Sequence, residues 1–327
     1  MYRAFFGLQE RPFDLTPNPR FLFLAPGHNE ALSTLHFGLT THSGLTLLIG
    51  EAGTGKTTLV QAALAELAND SEMNVECVLL SNPTLTRAEF YESLSEGFKL
   101  GVDAAASKAR FLFALRNHVQ ERHNQGNMTA LLLDEAQSLP HDLLEEVRLL
   151  SNLETATVKL LNVVLAGQPE LAARLNEPSL RQLKQRIALR CELTPLNLSH
   201  TASYIAGRIR VAGGTPMNVF TREAISAIYN ASKGLPRVIN VICQNALIGG
   251  FAAQVRPVSR AIVEEVCRDF DVRTTVTAHR DSEPPEQSPR ASLSAPHDAN
   301  TASSLTDAKQ SPSTSIFGLV NRRARFF

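Results

Sequence analysis

Leu45-Thr46-Leu47-Leu48-Ile49-Gly50-Glu51-Ala52-Gly53-Thr54-Gly55-Lys56-Thr57-Thr58 is the stretch that decides how this chain is read. An apolar run of β type comes first, then the spacing G-x-x-x-x-G-K-T, then a helical pattern. This order predicts a strand, a phosphate-binding loop and a helix. Gly50, Gly53 and Gly55 let the backbone turn tightly and bring N–H groups against phosphate oxygens. A helix starting near Lys56 adds the positive end of its dipole at the same place. Lys56 is placed to reach β- and γ-phosphates, and the Thr57 hydroxyl to ligate Mg²⁺. The candidate nucleotide site is therefore Gly50, Glu51, Ala52, Gly53, Thr54, Gly55, Lys56, Thr57 and Thr58, with ATP and Mg²⁺ as its ligands. A chance glycine turn with a surface lysine would require neither the strand nor the helix.

Working outward, 327 residues allow two or three domains at roughly 100–200 residues each. The 43% hydrophobic share suits a globular protein that buries cores. Lys+Arg and Asp+Glu are both 32, so overall charge neither favours nor excludes a nucleic-acid partner. Met1 to Pro12 lacks the apolar core of a signal peptide. No stretch approaches the ~18 apolar residues of a membrane helix. Cys77, Cys191, Cys243 and Cys267 are far apart without metal-ligand spacing and read as buried thiols in a reducing cytosol.

Residues 1–43 form an N-terminal segment rich in proline and phenylalanine, too aromatic for a disordered arm. It is expected to pack on the domain that follows, with a helix over 29–41. Strands are predicted at 45–50, 75–80, 130–134, 160–166 and 189–193. Helices fall between them, one opened by Thr86 with Glu89 three residues on. This alternation over 44–197 predicts an α/β domain: a five-stranded parallel sheet with helices on both faces. From 198 to 270 the pattern is helical only, a separate small module with Thr221 as a cap and Pro236 in a first turn. Residues 271–327 are poor in large apolar groups and are expected to be a disordered tail. Its end, Ile316 to Phe327, carries Arg322, Arg323, Arg325 and Phe326-Phe327, a candidate docking motif.

In open α/β sheets, ligands sit outside the carboxyl ends of the strands. Three strand exits carry suitable groups. Asp134, after an apolar strand, would hold Mg²⁺ directly or through a water. Glu135 would orient and polarise the attacking water. Gln168, after the 160–166 strand, is placed to contact the γ-phosphate or that water; the plainer role is a loop amide bonded to backbone. Arg186, just before the fifth strand, could reach a neighbouring subunit's γ-phosphate, with Arg181 as the alternative. Arg237, in Gly234-Leu235-Pro236-Arg237, could fold over the nucleotide and report its state to the helical module.

These residues together carry a resemblance. The chain resembles the AAA+ ATPases, and more specifically the ExeA/GspA family of general secretion pathway A ATPases. The likeness runs over roughly 1–270. It rests on Phe5-Phe6-Gly7-Leu8, Pro12-Phe13, 16–21, Gly50–Thr58, Leu131–Gln137, Leu144–Glu154, Ala166–Leu171 and Gly234–Arg237. The Walker motifs are generic; Ser151-Asn152-Leu153-Glu154 and Gly167-Gln168-Pro169-Glu170-Leu171 are more specific. The resemblance implies a P-loop fold with a helical lid, ATP hydrolysis, and a homo-oligomer with active sites between subunits. It also implies a secretion, pilus or envelope complex as partner. Longer family members continue into a membrane helix and a peptidoglycan-binding domain, whereas this chain passes into a polar tail. The expected location is therefore cytoplasmic, with a place at the periphery of the inner membrane as the variant. DNA-associated transposition helpers of the TniB/MuB kind share the core, but a DNA partner is less favoured because no dense Lys/Arg stripe is evident.

Overall fold

The computed structural model describes residues 1–269 apart from 17, 70–73, 82–83 and 102. The 271–327 tail and its Ile316–Phe327 motif lie outside the described residues.

Five parallel strands form one sheet in the order β2-β3-β4-β1-β5. They are β1 (Leu45–Gly50), β2 (Val75–Leu80), β3 (Met128–Leu133), β4 (Asn162–Gly167) and β5 (Ile187–Leu193). Because strand side chains alternate between faces, one continuous apolar run serves two cores. Leu45, Leu47 and Ile49 face one core with Leu131, Leu133, Val163 and Leu165. Leu48 faces the other with Ala130, Leu132, Val164 and Ala166.

The first core is covered by α4 (Arg87–Gly97), α5 (Lys108–Asn124) and α6 (His141–Leu150). The second is covered by α2 (Pro26–Thr40) and α3 (Lys56–Asn69). Helix α4 starts at a capping box: the Thr86 hydroxyl accepts the Glu89 N–H, and the Glu89 carboxylate accepts the Thr86 N–H. From β1 the chain crosses by α3 to β2 at the far edge, then returns through β3 and β4. Strand β5 adds on the other side of β1. The chain reverses at β1, so the loop leaving β1 lies at the topological switch point.

Beyond β5, α9 (Leu198–Val211), α10 (Arg222–Ser232), α11 (Pro236–Ala252) and α12 (Arg260–Asp269) build the helical module. The Asn197 and Thr221 side chains cap α9 and α10. Gly234 holds φ +78 between α10 and α11, and its carbonyl accepts the Leu196 N–H at 2.9 Å. A Cβ there would run into the Leu196 backbone, so the module's seat on the end of the sheet domain needs glycine.

The first 43 residues do not lie on the nucleotide domain as one piece, contrary to expectation. Helix α2 does pack on the sheet. The arm before it, opened by α1 (Tyr2–Phe6), instead completes the core of the helical module: Phe6, Leu8, Phe13, Phe21 and Ala25 cluster with Ile205, Phe220, Ile239 and Leu247. Phe13 sits edge-on to Phe220 with centroids 6.1 Å apart, and Phe23 edge-on to Tyr204 at 5.9 Å. Four short helices leave an apolar face open, and the arm's rings close it. Buried Arg208 ties the two together: its Nε donates to the Pro12 carbonyl at 2.5 Å, and its guanidinium lies 4.8 Å from the Phe21 ring centre.

Helix α8 (Arg181–Lys184) ends just before β5 begins at Ile187. Of the four cysteines, Cys191 and Cys243 are buried, and Cys77 and Cys267 are half-buried; all are free thiols. Burial pushes the Cys77 and Cys191 thiols up to about 12.

Candidate nucleotide site

The loop after β1 wraps around the start of α3. Gly53 (φ +82) and Gly55 (φ +100) take left-handed backbone. The Thr54 hydroxyl donates to the Glu51 carbonyl at 2.8 Å and holds the curl. Lys56 is 4% exposed and turns its ammonium back into the loop, donating to the carbonyls of Gly50 (2.8 Å) and Glu51 (3.2 Å). Among the described residues no carboxylate forms an ion pair with it. Burial holds its pKa below the ordinary lysine value, only partly opposed by the charges of Glu135, Asp134, Glu51 and Glu170. A desolvated cation in a ring of backbone dipoles is a receptor for polyanionic oxygen.

Asp134 follows β3 and is 4% exposed. Its Oδ2 accepts the Thr57 hydroxyl at 2.6 Å, joining residues 77 positions apart in the chain. Its Oδ1 accepts the Glu135 N–H at 2.9 Å. Two hard oxygens this close suit Mg²⁺, which usually takes one or two protein ligands and fills its shell with water and phosphate. Among the described residues no group of three or more His, Cys, Asp or Glu could hold a metal on its own. Thr57 and Asp134, joined at 2.6 Å, could hold such an ion.

Glu135 adopts left-handed backbone (φ +53), rare for a residue with a side chain, and opens a 3₁₀ turn over Ala136–Ser138. The turn throws its half-buried carboxylate onto the wall of the cavity. Burial raises the Glu135 pKa, but hydrogen bonds from Gln137 and Gln168 and the charges of Lys56 and Arg237 outweigh it, so the group lies below the ordinary glutamate value. Gln168 stands one step back from the cavity: its Nε2 donates to Glu135 Oε2 at 3.2 Å.

The helical module supplies the opposite wall. The Arg237 N–H donates to the Gly53 carbonyl at 3.2 Å, and its exposed guanidinium lines the cavity. The cavity holds about 320 Å³ between the loop, the module and the N-terminal arm. Gly53, Thr54, Gly55, Lys56, Thr57, Thr58 and Glu135 line it; Phe23, His28, Tyr204, Arg208, Arg237 and Asn240 are among the other lining residues. Gly50 contributes its carbonyl, and Glu51 and Ala52 form the exposed shoulder of the loop.

Arg186 and Arg181 do not line this cavity. Leu45 pairs with Ile187 and Gly50 with Leu193, so Arg186 lies at the amino end of the sheet and the loop at the carboxyl end. Five residues of strand at about 3.3 Å each separate them by roughly 17 Å. Arg186 is half-buried beside Glu154, whose pKa its charge helps to lower.

Sequence reasoning missed Gln137, Arg174, His28 and Arg208. Buried His28 places Nε2 3.3 Å from the Thr54 carbonyl. Only the position of His28 at the start of a helical pattern was visible in the chain, and nothing local pairs it with a loop 26 residues away. For Gln137 there was a signal: a second amide two residues after the paired acids.

A parallel sheet with its phosphate loop at the switch point, paired acids at the exit of β3 and a helical lid defines a class. The AAA domain family profile matches residues 39–175. The chain belongs to the AAA+ ATPases. Within them it is similar to General secretion pathway protein A of Aeromonas hydrophila, with 42% identity over 252 residues. That match covers 77% of this chain and 45% of the relative, so the chain spans about half of the curated protein it matches. Solved structures with the same fold include the ORC2 protein of Aeropyrum pernix in its ADPNP-ADP complexes (TM-score 0.60, 17% identity, 80% of this chain and 72% of that one). They also include Cdc6p of Pyrobaculum aerophilum (0.58, 15%, 82% and 70%) and the Drosophila ORC bound to DNA (0.57, 19%, 80% and 66%). At such identities the likeness speaks for the fold alone. Among the described residues no helix is long and apolar enough to cross a membrane.

Proposed function

We propose that this chain binds ATP with Mg²⁺ in the cavity between loop and lid, and hydrolyses it. We further propose that it does so as a homo-oligomer that drives assembly or remodelling of a secretion, pilus or envelope complex. The observation that carries the hydrolytic reading is the 2.6 Å meeting of Thr57 with Asp134, with Glu135 beside them on the cavity wall. The likeness to General secretion pathway protein A supports the kind of complex acted on.

In this reading the loop N–H groups from Gly53 to Thr58 cradle the phosphates, and Lys56 exchanges backbone carbonyls for β- and γ-oxygens. Thr57 and Asp134 would hold Mg²⁺, which when bound would supply positive charge against those oxygens. Glu135 orients the attacking water and accepts its proton; a carboxylate kept ionised at neutral pH can do so. Gln168 steadies that carboxylate, a sensor role exerted through Glu135. Arg237 reports the occupant to the lid, of which its helix α11 is a part. Arg186 serves the next subunit: roughly 17 Å from its own loop, it is useful to hydrolysis only across an interface. A cytoplasmic or membrane-peripheral location goes with this reading.

The test is Glu135→Gln. The variant should keep Mg²⁺-dependent ATP affinity and lose nearly all turnover, measured by phosphate release. Normal hydrolysis by the variant removes Glu135 from the mechanism, and a wild-type protein without Mg²⁺-dependent ATP affinity overturns the reading as a whole.

A further inference from the structure

Two amides converge on one carboxylate oxygen at the exit of β3. Gln137 Nε2 donates to Glu135 Oε2 at 2.5 Å, and Gln168 Nε2 donates to the same oxygen at 3.2 Å. The other end of the Gln137 amide is also engaged: its Oε1 accepts the backbone N–H of Gln168 at 3.1 Å. A backbone N–H can only donate and an ionised carboxylate can only accept. The orientation of the Gln137 amide is therefore set by its two partners.

The same turn is gripped a second time. Helix α7 (Pro169–Arg174) starts directly after Gln168. At its far end, Arg174 Nη1 donates to the carbonyls of Gln137 (2.6 Å) and Leu139 (2.8 Å). Both ends of α7 are thus bonded to the turn that presents Glu135. That turn starts from left-handed backbone at Glu135, a conformation that persists only when its surroundings hold it.

We propose that Gln137 is a positioning residue for hydrolysis: its amide bridges the Glu135 carboxylate to the backbone at the exit of β4, so that the water-orienting group and Gln168 move as one unit. Gln137 does not line the cavity and touches no substrate; it acts through Glu135. The inference rests on the hydrolytic reading given above. It adds a coupling between two strand exits that the motif residues alone do not contain.

Gln137→Met keeps the length of the side chain and removes both the donor and the acceptor. It should lower kcat by about tenfold or more, as expected when a reacting group is misplaced by a fraction of an ångström. The apparent KM for ATP should stay within about twofold of wild type, since the half-buried Gln137 side chain does not line the phosphate cradle. In a cycle with Gln168→Met, the double variant should lose less than the product of the two single losses, because both amides serve one oxygen.

Amide hydrogen exchange of Gln168, followed by NMR on nucleotide-free protein, reads the bridge without turnover. Exchange should be about tenfold or more faster in Gln137→Met, because the acceptor of that N–H is gone. Unchanged exchange overturns the bridge. Faster exchange with unchanged kcat overturns its role in hydrolysis. If wild type hydrolyses no ATP while Gln137→Met still frees the Gln168 N–H, the hydrolytic reading has failed and the positioning role falls with it; the bridge itself stands.

Discussion

Gly53 is where loop and lid touch, and replacing it with alanine tests the packing of the whole site. Two costs add. At φ +82 an alanine is in left-handed backbone, worth about 1–2 kcal/mol. Its Cβ would also stand 2.7 Å from the Arg237 Cβ, closer than side-chain carbons approach one another. Relieving such overpacking costs typically about 1–3 kcal/mol. The sum is about 2–5 kcal/mol for Gly53→Ala. Only the second part depends on Arg237, so a double-mutant cycle separates them. Arg237→Gly removes the opposing Cβ, and the double variant should recover about 1–3 kcal/mol relative to the sum of the singles. For a domain of this size 1 kcal/mol is about 2–4 °C in melting temperature, so the recovery amounts to several degrees. Differential scanning calorimetry of the four proteins reads it directly. Strict additivity would mean that Arg237 does not lie on Gly53, and the lid would then have to sit elsewhere.

Two further outcomes follow from placement. If Arg186 works across an interface, Arg186→Ala and Glu135→Gln are each inactive alone but complement on mixing, since an intact site on one can meet an intact arginine on the other. An equimolar mixture should regain about a quarter of wild-type turnover, and no regain would place Arg186 outside the mechanism. His28 gives a pH test. Burial, and to a lesser degree the nearby charge of His200, hold its pKa below the ordinary 6.5, although the Thr54 carbonyl raises it. The unfolded chain thus binds the proton more readily than the folded one, so His28 costs stability as pH falls below about 6.5 and nothing above it. His28→Gln can still donate to Thr54 and should flatten the loss of melting temperature between pH 7 and 5, by at most about 1.4 kcal/mol per pH unit. An unchanged slope would show that His28 protonates as freely folded as unfolded.

The sheet was legible because its signals are local. The run Leu45–Gly50 and the glycines after it need only near neighbours to be read, and strand and loop lie where expected. The Thr86–Glu89 box, the Thr221 cap and Pro236 at the start of α11 were read from three or four consecutive residues, and the structure puts each at a helix start. Phe5, Phe6, Phe13, Phe21 and Phe23 were recognised as packed, but their partner was misjudged. Aromatic content states how much surface a segment must bury and leaves open against what.

The chain order by itself determined the class of fold and the phosphate-loop candidates, since both depend on periodicity and short spacings that survive in one dimension. Tertiary structure alone decided that the N-terminal arm belongs to the lid and that Gln137 joins two strand exits. Each of these is a contact between segments distant in sequence. Such contacts are set by which open face remains to be covered and by strand direction, and neither quantity is written in any short run of residues.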